Sequence, residues 1–213
     1  MINSDNVFNY ALWLVLCYEG GYVNNKNDRG GATSRGITQA TYDKYRRKKG
    51  LKRNPVRNID DSFTSEIYRN RFLSLELINK FFEENEGRTD EVKEIYLNEY
   101  WLAGRLQTLP ILSALWVMDF NVMTGDDGTR IMQKIIGTKP DGIIGKNTHT
   151  KLAEFLSTND EWTLINRMSE ERVNFHRRIV DRNPTQSEFI KGWLNRLRRL
   201  RGLLSEIRTE IRN

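Results

Sequence analysis

The segment from Ile111 to about Met123 is apolar on nearly every face of a helix, and such a helix is stable in water only when other elements enclose it. Pro110 stands where a first helical turn tolerates a missing N–H, and Gly125 ends the run. The rest of the chain must supply the enclosing layer, and most of it carries the pattern to do so. Phe8, Leu12, Val15 and Leu16 fall at helical spacing, in a helix that Ser4 or Asp5 can cap and that Gly20-Gly21 stops. Thr38 can cap a second helix to about Lys48, closed by Gly50. A basic loop, 51–60, holds Pro55. The next helical stretch, opened by Asp61 or Ser62, carries Phe63, Ile67, Leu73, Leu77 and Phe81. Thr89 is placed to cap a helix with Val92, Ile95, Tyr96 and Tyr100.

Beyond the central helix, a short helix reaches Gly137 and Lys139-Pro140-Asp141-Gly142 makes a turn. Asn147 or Thr148 starts another helix through Leu156, and two long helices follow Asp160 and Pro184. Helical period is lost between Tyr22 and Ile37, where Gly, Asn, Asp and Thr dominate. The expected fold is all-α with one small irregular β-hairpin near residues 22–37. The 213 residues are enough to bury a real core. No linker is long enough to free two domains, so two sequence halves, 1–90 and 91–213, are expected to pack as one body.

Composition narrows the function. The single cysteine, Cys17, excludes an intramolecular disulfide framework and a cysteine-rich zinc site. The two histidines, His149 and His176, lie in no ligand motif and beside no nucleophile, which leaves them surface or packing roles. No calcium loop is present, so no metal and no cofactor are expected. The apolar run Ala11–Cys17 is far shorter than the ~20 residues that span a bilayer, and no basic leader or small-residue cleavage site flanks it. The expectation is a chain made in the cytoplasm without stable membrane insertion. The net charge of +6 favours an anionic partner, among nucleic acid, lipid headgroups and bacterial cell wall.

The chemistry concentrates in the irregular stretch. Glu19-Gly20-Gly21-Tyr22 is followed by Asp28-Arg29-Gly30-Gly31-Ala32-Thr33 and then Gly36-Ile37-Thr38. The chain must reverse between Glu19 and Asp28, which lets two carboxyls face one cleft. Glycoside hydrolysis needs such a pair, one to protonate the leaving oxygen and one to handle water or attack. An apolar helix, the negative end of its dipole and a nearby Asp28 would each raise the pKa of Glu19, as a general acid requires. Taken alone, the same residues equally describe a solvated helix end followed by a glycine turn.

These strings resemble the N-terminal signature of glycoside hydrolase family 108, lysozyme-like N-acetylmuramidases found as phage endolysins and as bacterial secretion activator proteins. The likeness continues through Glu94-Ile95-Tyr96 with Tyr100-Trp101, and Asp119-Phe120-Asn121 with Gly125. It runs on through Lys139-Pro140-Asp141-Gly142-Ile143-Ile144-Gly145-x-x-Thr148 and Phe189, Gly192-Trp193 and Arg196. It implies a lysozyme-like helical fold over 1–90 and a peptidoglycan-binding region over 91–213. It implies Glu19 as the acid, with Asp28 and Thr33 holding the water. The broader lysozyme spacing would select Ser34 instead; the family pattern fits Thr33. Residues 51–88 exceed the family's spacing, which leaves their role open between a lid and a surface particular to this protein.

Asp119 and Asn121 interrupt an apolar helix and need partners, either nearby backbone or a sugar-binding cleft. Tyr22 and Trp101 are candidates to stack on sugar faces, though aromatics there are as readily core. The last helix carries Trp193, Leu197, Leu200, Leu204, Ile207 and Ile211 as a stripe that packs on the body or pairs two copies of an otherwise monomeric protein. Arg196, Arg198, Arg199, Arg201 and Arg208 are expected on the solvated face, free to meet anionic wall polymers.

The resulting expectation is an enzyme that hydrolyses the glycan strand of bacterial peptidoglycan, reaching the wall by a non-standard route. A carboxyl separation of about 5 Å would mean retention and roughly 6.5–9.5 Å inversion; the likeness to phage lysozymes favours inversion. The alternatives are a non-catalytic wall-binding or secretion-accessory protein, and a basic nucleic-acid binder. The second lacks a recognition helix or zinc finger, so no nucleic-acid partner is expected.

Overall fold

A computed structural model describes residues 2, 6–24, 31–70 and 73–212. Asp28 and the candidate caps Ser4 and Asp5 lie outside the described residues. The chain divides into two compact units, Leu12–Ala103 and Met1–Ala11 with Gly104–Asn213. Helix α1 (Val7–Leu16) contributes its first half to the second of these and the rest to the first.

In the unit Leu12–Ala103, the expected helices and the single hairpin are present, with shifted ends. α1 stops at Leu16, short of Gly20-Gly21, because its ladder tightens to an i→i−3 bond from Tyr18 N to Val15 O (3.0 Å). Strands β1 (Thr33–Ser34) and β2 (Ile37–Thr38) pair antiparallel, Thr33 opposite Thr38, and Val23 bridges to Thr33 on the other side. Thr38 caps α2 (Gln39–Lys48) by accepting from Thr41 N.

The stretch expected as one helix after Asp61 is two, α3 (Thr64–Asn70) and α4 (Leu75–Glu84), the second entered through an extended Ser74. α5 (Glu91–Ile95) is capped by Asp90, not Thr89. The physical reason is reach. Asp90 Oδ1 accepts from Lys93 N (2.8 Å), while Oδ2 accepts from Phe63 N (3.0 Å), Thr64 N (2.6 Å) and the Thr64 hydroxyl (2.8 Å). One buried carboxylate thus serves the starts of two helices, which a threonine hydroxyl cannot do.

A π-helical stretch, Tyr96–Leu102, continues from α5. The α2 helix is tied to this segment by three carboxylates. Glu91 takes the Tyr42 hydroxyl and Arg46, Glu94 takes the Tyr45 hydroxyl and Lys49, and Glu99 takes Lys44 and Lys48. Beneath them, Trp13 meets Phe81 edge-on at 5.2 Å and Phe81 stacks on Phe63 at 5.4 Å. Each such side chain contributes on the order of 2–3 kcal/mol by leaving water.

The other unit is built round α6 (Ile111–Thr124), whose residues Leu112 to Phe120 are all buried. α7 (Asp127–Ile135), α9 (Glu161–Arg182) and α10 (Ser187–Arg212) pack against it, and α8 (Lys146–Thr158) precedes α9. α9 starts at an Asp160 cap, as its sequence predicts. α8 begins at Lys146, one to two residues before the expected Asn147 or Thr148. Along α10, Leu197, Leu200, Leu203, Leu204 and Ile207 are buried, while Ile211 is exposed. Among the described residues, no helix is long and apolar enough to cross a membrane.

Candidate active site

Glu19 lies just past α1, half-buried, and its carboxylate rests against the hairpin turn. The turn has two central residues, Arg35 and Gly36, both at positive φ (52° and 73°), the signature of the tight primed turns that suit a twisted hairpin. Glycine at the second position does more than relieve strain. A β-carbon there would stand 2.6 Å from Tyr96 Oη, 2.7 Å from Glu19 Oε2 and 2.8 Å from Glu19 Cδ. Only a residue without a side chain lets the carboxylate and the phenol approach the backbone this closely.

The surroundings of Glu19 come from four segments of the same unit. Tyr96, the first residue of the π-helical stretch, donates its hydroxyl to Arg35 O at 2.8 Å. Tyr100 packs on Tyr96 with ring centroids 5.1 Å apart. Burial raises the pKa of Tyr100, the negative charge of Glu19 adds to that, and a hydrogen bond with Thr41 opposes it. The Arg35 guanidinium lies 4.2 Å above the Tyr68 ring and gives both Nε (2.7 Å) and Nη2 (2.6 Å) to Asp61 Oδ2. In the sequence, Gly36, Tyr96 and Tyr100 stand within the quoted motifs without a role at this site, Asp61 stands only as a helix start, and Arg35 and Tyr68 are not singled out. The signal available was the Arg-Gly pair between two short extended dipeptides.

The other sequence-predicted residues divide. Thr33 sits in β1, flanked by Val23 and Thr38, and keeps part of its surface, whereas Ser34 beside it is buried. Tyr22 is 45% exposed, two residues past Gly20. Trp101 is buried, and its ring belongs to the core of the unit.

Asp119 and Asn121 belong to the other unit. Asp119 is wholly buried, with Oδ2 2.7 Å from Arg172 Nη1 and Oδ1 2.9 Å from Arg196 Nε. A carboxylate with no exposed surface and both oxygens held by guanidinium groups offers nothing to a sugar, which corrects the expectation of a cleft residue. The same pairing corrects Arg196, which turns inward from the face expected to be solvated. Asn121 serves the first turn of α7, accepting from Thr129 N (3.1 Å) and donating to the Thr129 hydroxyl (2.9 Å). Gly128 admits this contact, since a β-carbon there would meet Asn121 Oδ1 at 2.7 Å.

His176 is buried and stacks on Trp193 at 4.8 Å, and His149 meets the Thr108 hydroxyl. Gln133 organises the Asp141-Gly142 turn, donating to Asp141 Oδ1 (2.9 Å) and accepting from Gly142 N (2.8 Å). Among the described residues, no three His, Cys, Asp or Glu side chains converge as metal ligands.

Residues 12–84 match the glycosyl hydrolase 108 family, and residues 127–198 match a family described as a predicted peptidoglycan domain. No curated protein matches the chain. Among solved structures, that of SagA from Brucella abortus is similar, with a TM-score of 0.62 and 25% identity over 95% of each chain. The first family region holds Glu19, Gly36, Arg35, Asp61 and Tyr68, and the second holds most of the helices that enclose Asp119. The chain therefore carries a region similar to the glycosyl hydrolase 108 family, followed by one similar to a predicted peptidoglycan domain, and the two together support a peptidoglycan-related role.

Proposed function

We propose that this protein hydrolyses the glycan strand of bacterial peptidoglycan as an N-acetylmuramidase, with Glu19 as general acid. The observation that carries the reading is the seating of the Glu19 carboxylate on Gly36, within a region matched by a glycoside hydrolase family. A half-buried carboxyl held by a turn too tight for any side chain is pre-organised for proton transfer. In the proposed reaction, Glu19 gives its proton to the glycosidic oxygen as the bond to the anomeric carbon breaks. A water adds its hydroxyl to that carbon from the opposite face and passes its proton to Asp28, with Thr33 orienting the water and inversion as the outcome. Tyr22, exposed near Glu19 in the chain, is available to a sugar face, and the peptidoglycan domain holds the wall.

Dye release from purified sacculi tests the reading. Glu19→Gln is expected to lower the lytic rate about a thousandfold, within the range of general acid catalysis, while co-sedimentation with sacculi persists. The released fragments should carry reducing N-acetylmuramic acid ends by mass spectrometry. A lytic Glu19→Gln variant defeats the assignment. A wild-type protein that sediments with sacculi but releases nothing would make it a non-catalytic wall binder.

A further inference from the structure

Arg35 occupies a position that disfavours it. Its φ of 52° lies in the left-handed region, where a β-carbon crowds the backbone and glycine, asparagine or aspartate fit at lower cost. The turn itself therefore does not call for arginine, and the reason lies in what the side chain and carbonyl reach. Two nitrogens of the guanidinium hold one oxygen of Asp61, and its face covers the Tyr68 ring. The remaining nitrogen, Nη1, points at the chain just after Glu19, 3.6 Å from where a β-carbon of Gly21 would stand. The Arg35 carbonyl receives the Tyr96 hydroxyl, and the next residue, Gly36, carries the Glu19 carboxylate.

We propose that Arg35 is a positioning residue for Glu19, clamped by Asp61 and Tyr68 so that the turn bearing the carboxylate keeps one geometry. The inference rests on the reading of Glu19 as the acid. It also gives a task to part of the segment 51–88, since Asp61 and Tyr68 both come from it. The planar guanidinium suits the task. It meets the carboxylate through two donors and the phenol through its face, which an ammonium cannot do at once. Arg35 acts through the turn and not on the sugar, so its loss should appear in the rate of the chemical step. Substrate affinity should hardly change.

The test is kcat and KM on solubilised glycan strands for Arg35→Ala, Asp61→Asn and the double variant, each per folded molecule as judged by thermal unfolding. Displacing a reacting group by an ångström costs on the order of a hundredfold. Arg35→Ala is accordingly expected to lose roughly 30- to 100-fold in kcat, with KM within about twofold. Asp61→Asn should lose about fivefold, and the double variant should be no worse than Arg35→Ala, because Asp61 works through Arg35. Arg35→Lys, which keeps the charge but not the fork, should recover little.

A folded Arg35→Ala with wild-type kcat overturns the proposal, as does a fivefold loss from Asp61→Asn that persists undiminished in the Arg35→Ala background. Should Arg35→Ala fail to fold, Arg35→Lys and Asp61→Asn carry the same cycle. Wild-type kcat in both overturns the proposal, and a shared, non-additive loss upholds it. Glu19→Gln run alongside separates the two failures. If it stays lytic, the catalytic reading falls and takes this inference with it; if it is inert while Arg35→Ala turns over normally, only the inference falls.

Discussion

The Glu19 carboxylate occupies the space beside Gly36 that a β-carbon would need, with Oε2 2.7 Å from where that carbon would stand. Alanine at 36 would have to displace the carboxylate and the Tyr96 hydroxyl, and would sit at a φ of 73° that a β-carbon resists. Gly36→Ala is expected to destabilise the protein by about 1–3 kcal/mol, as substitutions at left-handed glycines do. The same change should lower lysis of sacculi about a hundredfold, since the carboxylate moves. Urea unfolding and dye release measure the two effects. An alanine variant with wild-type lysis would mean that this contact does not set the position of Glu19.

Asp90 joins the beginnings of α3 and α5, and its removal should be felt at both. Four donors lose their acceptor in Asp90→Ala, three of them backbone N–H groups. Each helix cap is worth about 1 kcal/mol and a buried unsatisfied donor about as much again, so a loss on the order of 3 kcal/mol is expected. Asp90→Asn keeps both acceptor positions' shape but only one oxygen, and should cost about half as much. Chemical denaturation of the three proteins decides it; a loss under about 0.5 kcal/mol for the alanine variant contradicts the double cap.

Both of these residues show what the sequence conveyed and what it withheld. The helices, the hairpin and the caps at Thr38 and Asp160 follow from local pattern, because periodicity and capping are read within a few residues. Glu19 stood out as a candidate for the same reason: a carboxylate before Gly-Gly at the end of an apolar helix is a local signal. The partners of Glu19 did not. Tyr96 and Arg35 are 61 residues apart, and the Arg35–Asp61 pair spans 26. Nothing in the local pattern says that these side chains meet. Arg196 failed in the opposite way: it stands on the polar side of a clean apolar stripe, and only its pairing with Asp119, 77 residues distant, draws it inside. Thr89 and Asp90 differ by one position, and the choice between them was made by α3, which a reading of α5 alone does not include.

Asp119 holds two buried arginines, and its role is structural. Burial pushes its pKa up, but the charges of Arg196 and Arg172 outweigh that and hold it below the usual aspartate value. Asp119→Ala leaves two guanidinium groups without their shared anion and should destabilise the protein by about 3–5 kcal/mol. Lysis measured well below the unfolding midpoint should follow the folded fraction. Thermal unfolding beside low-temperature dye release tests this. If lysis disappears in a variant that remains folded, Asp119 has a function beyond packing.

The same core sets how stability responds to acid. His176 packs against Phe120 and Trp193, and neither of its ring nitrogens has a hydrogen-bond partner among the described residues. Burial, followed by the charge of Arg172, lowers its pKa from 6.5 to about 4. The unfolded chain therefore binds a proton at this residue between pH 6.5 and 4 that the folded chain refuses, so stability falls as pH drops through that window. Asp119 acts lower down. Its depressed pKa gives a contribution that is complete above the unfolded value and lost as pH falls through the folded one. Two successive losses are expected, the first from His176 and the second from Asp119. His176→Phe keeps an aromatic ring against Trp193 and removes the titration, so it should flatten the curve between pH 6.5 and 4 and leave the steeper fall below that range in place. Unfolding free energies at half-unit pH steps resolve the two. A His176→Phe protein whose stability declines between pH 6.5 and 4 as steeply as the wild type would assign that decline to other groups.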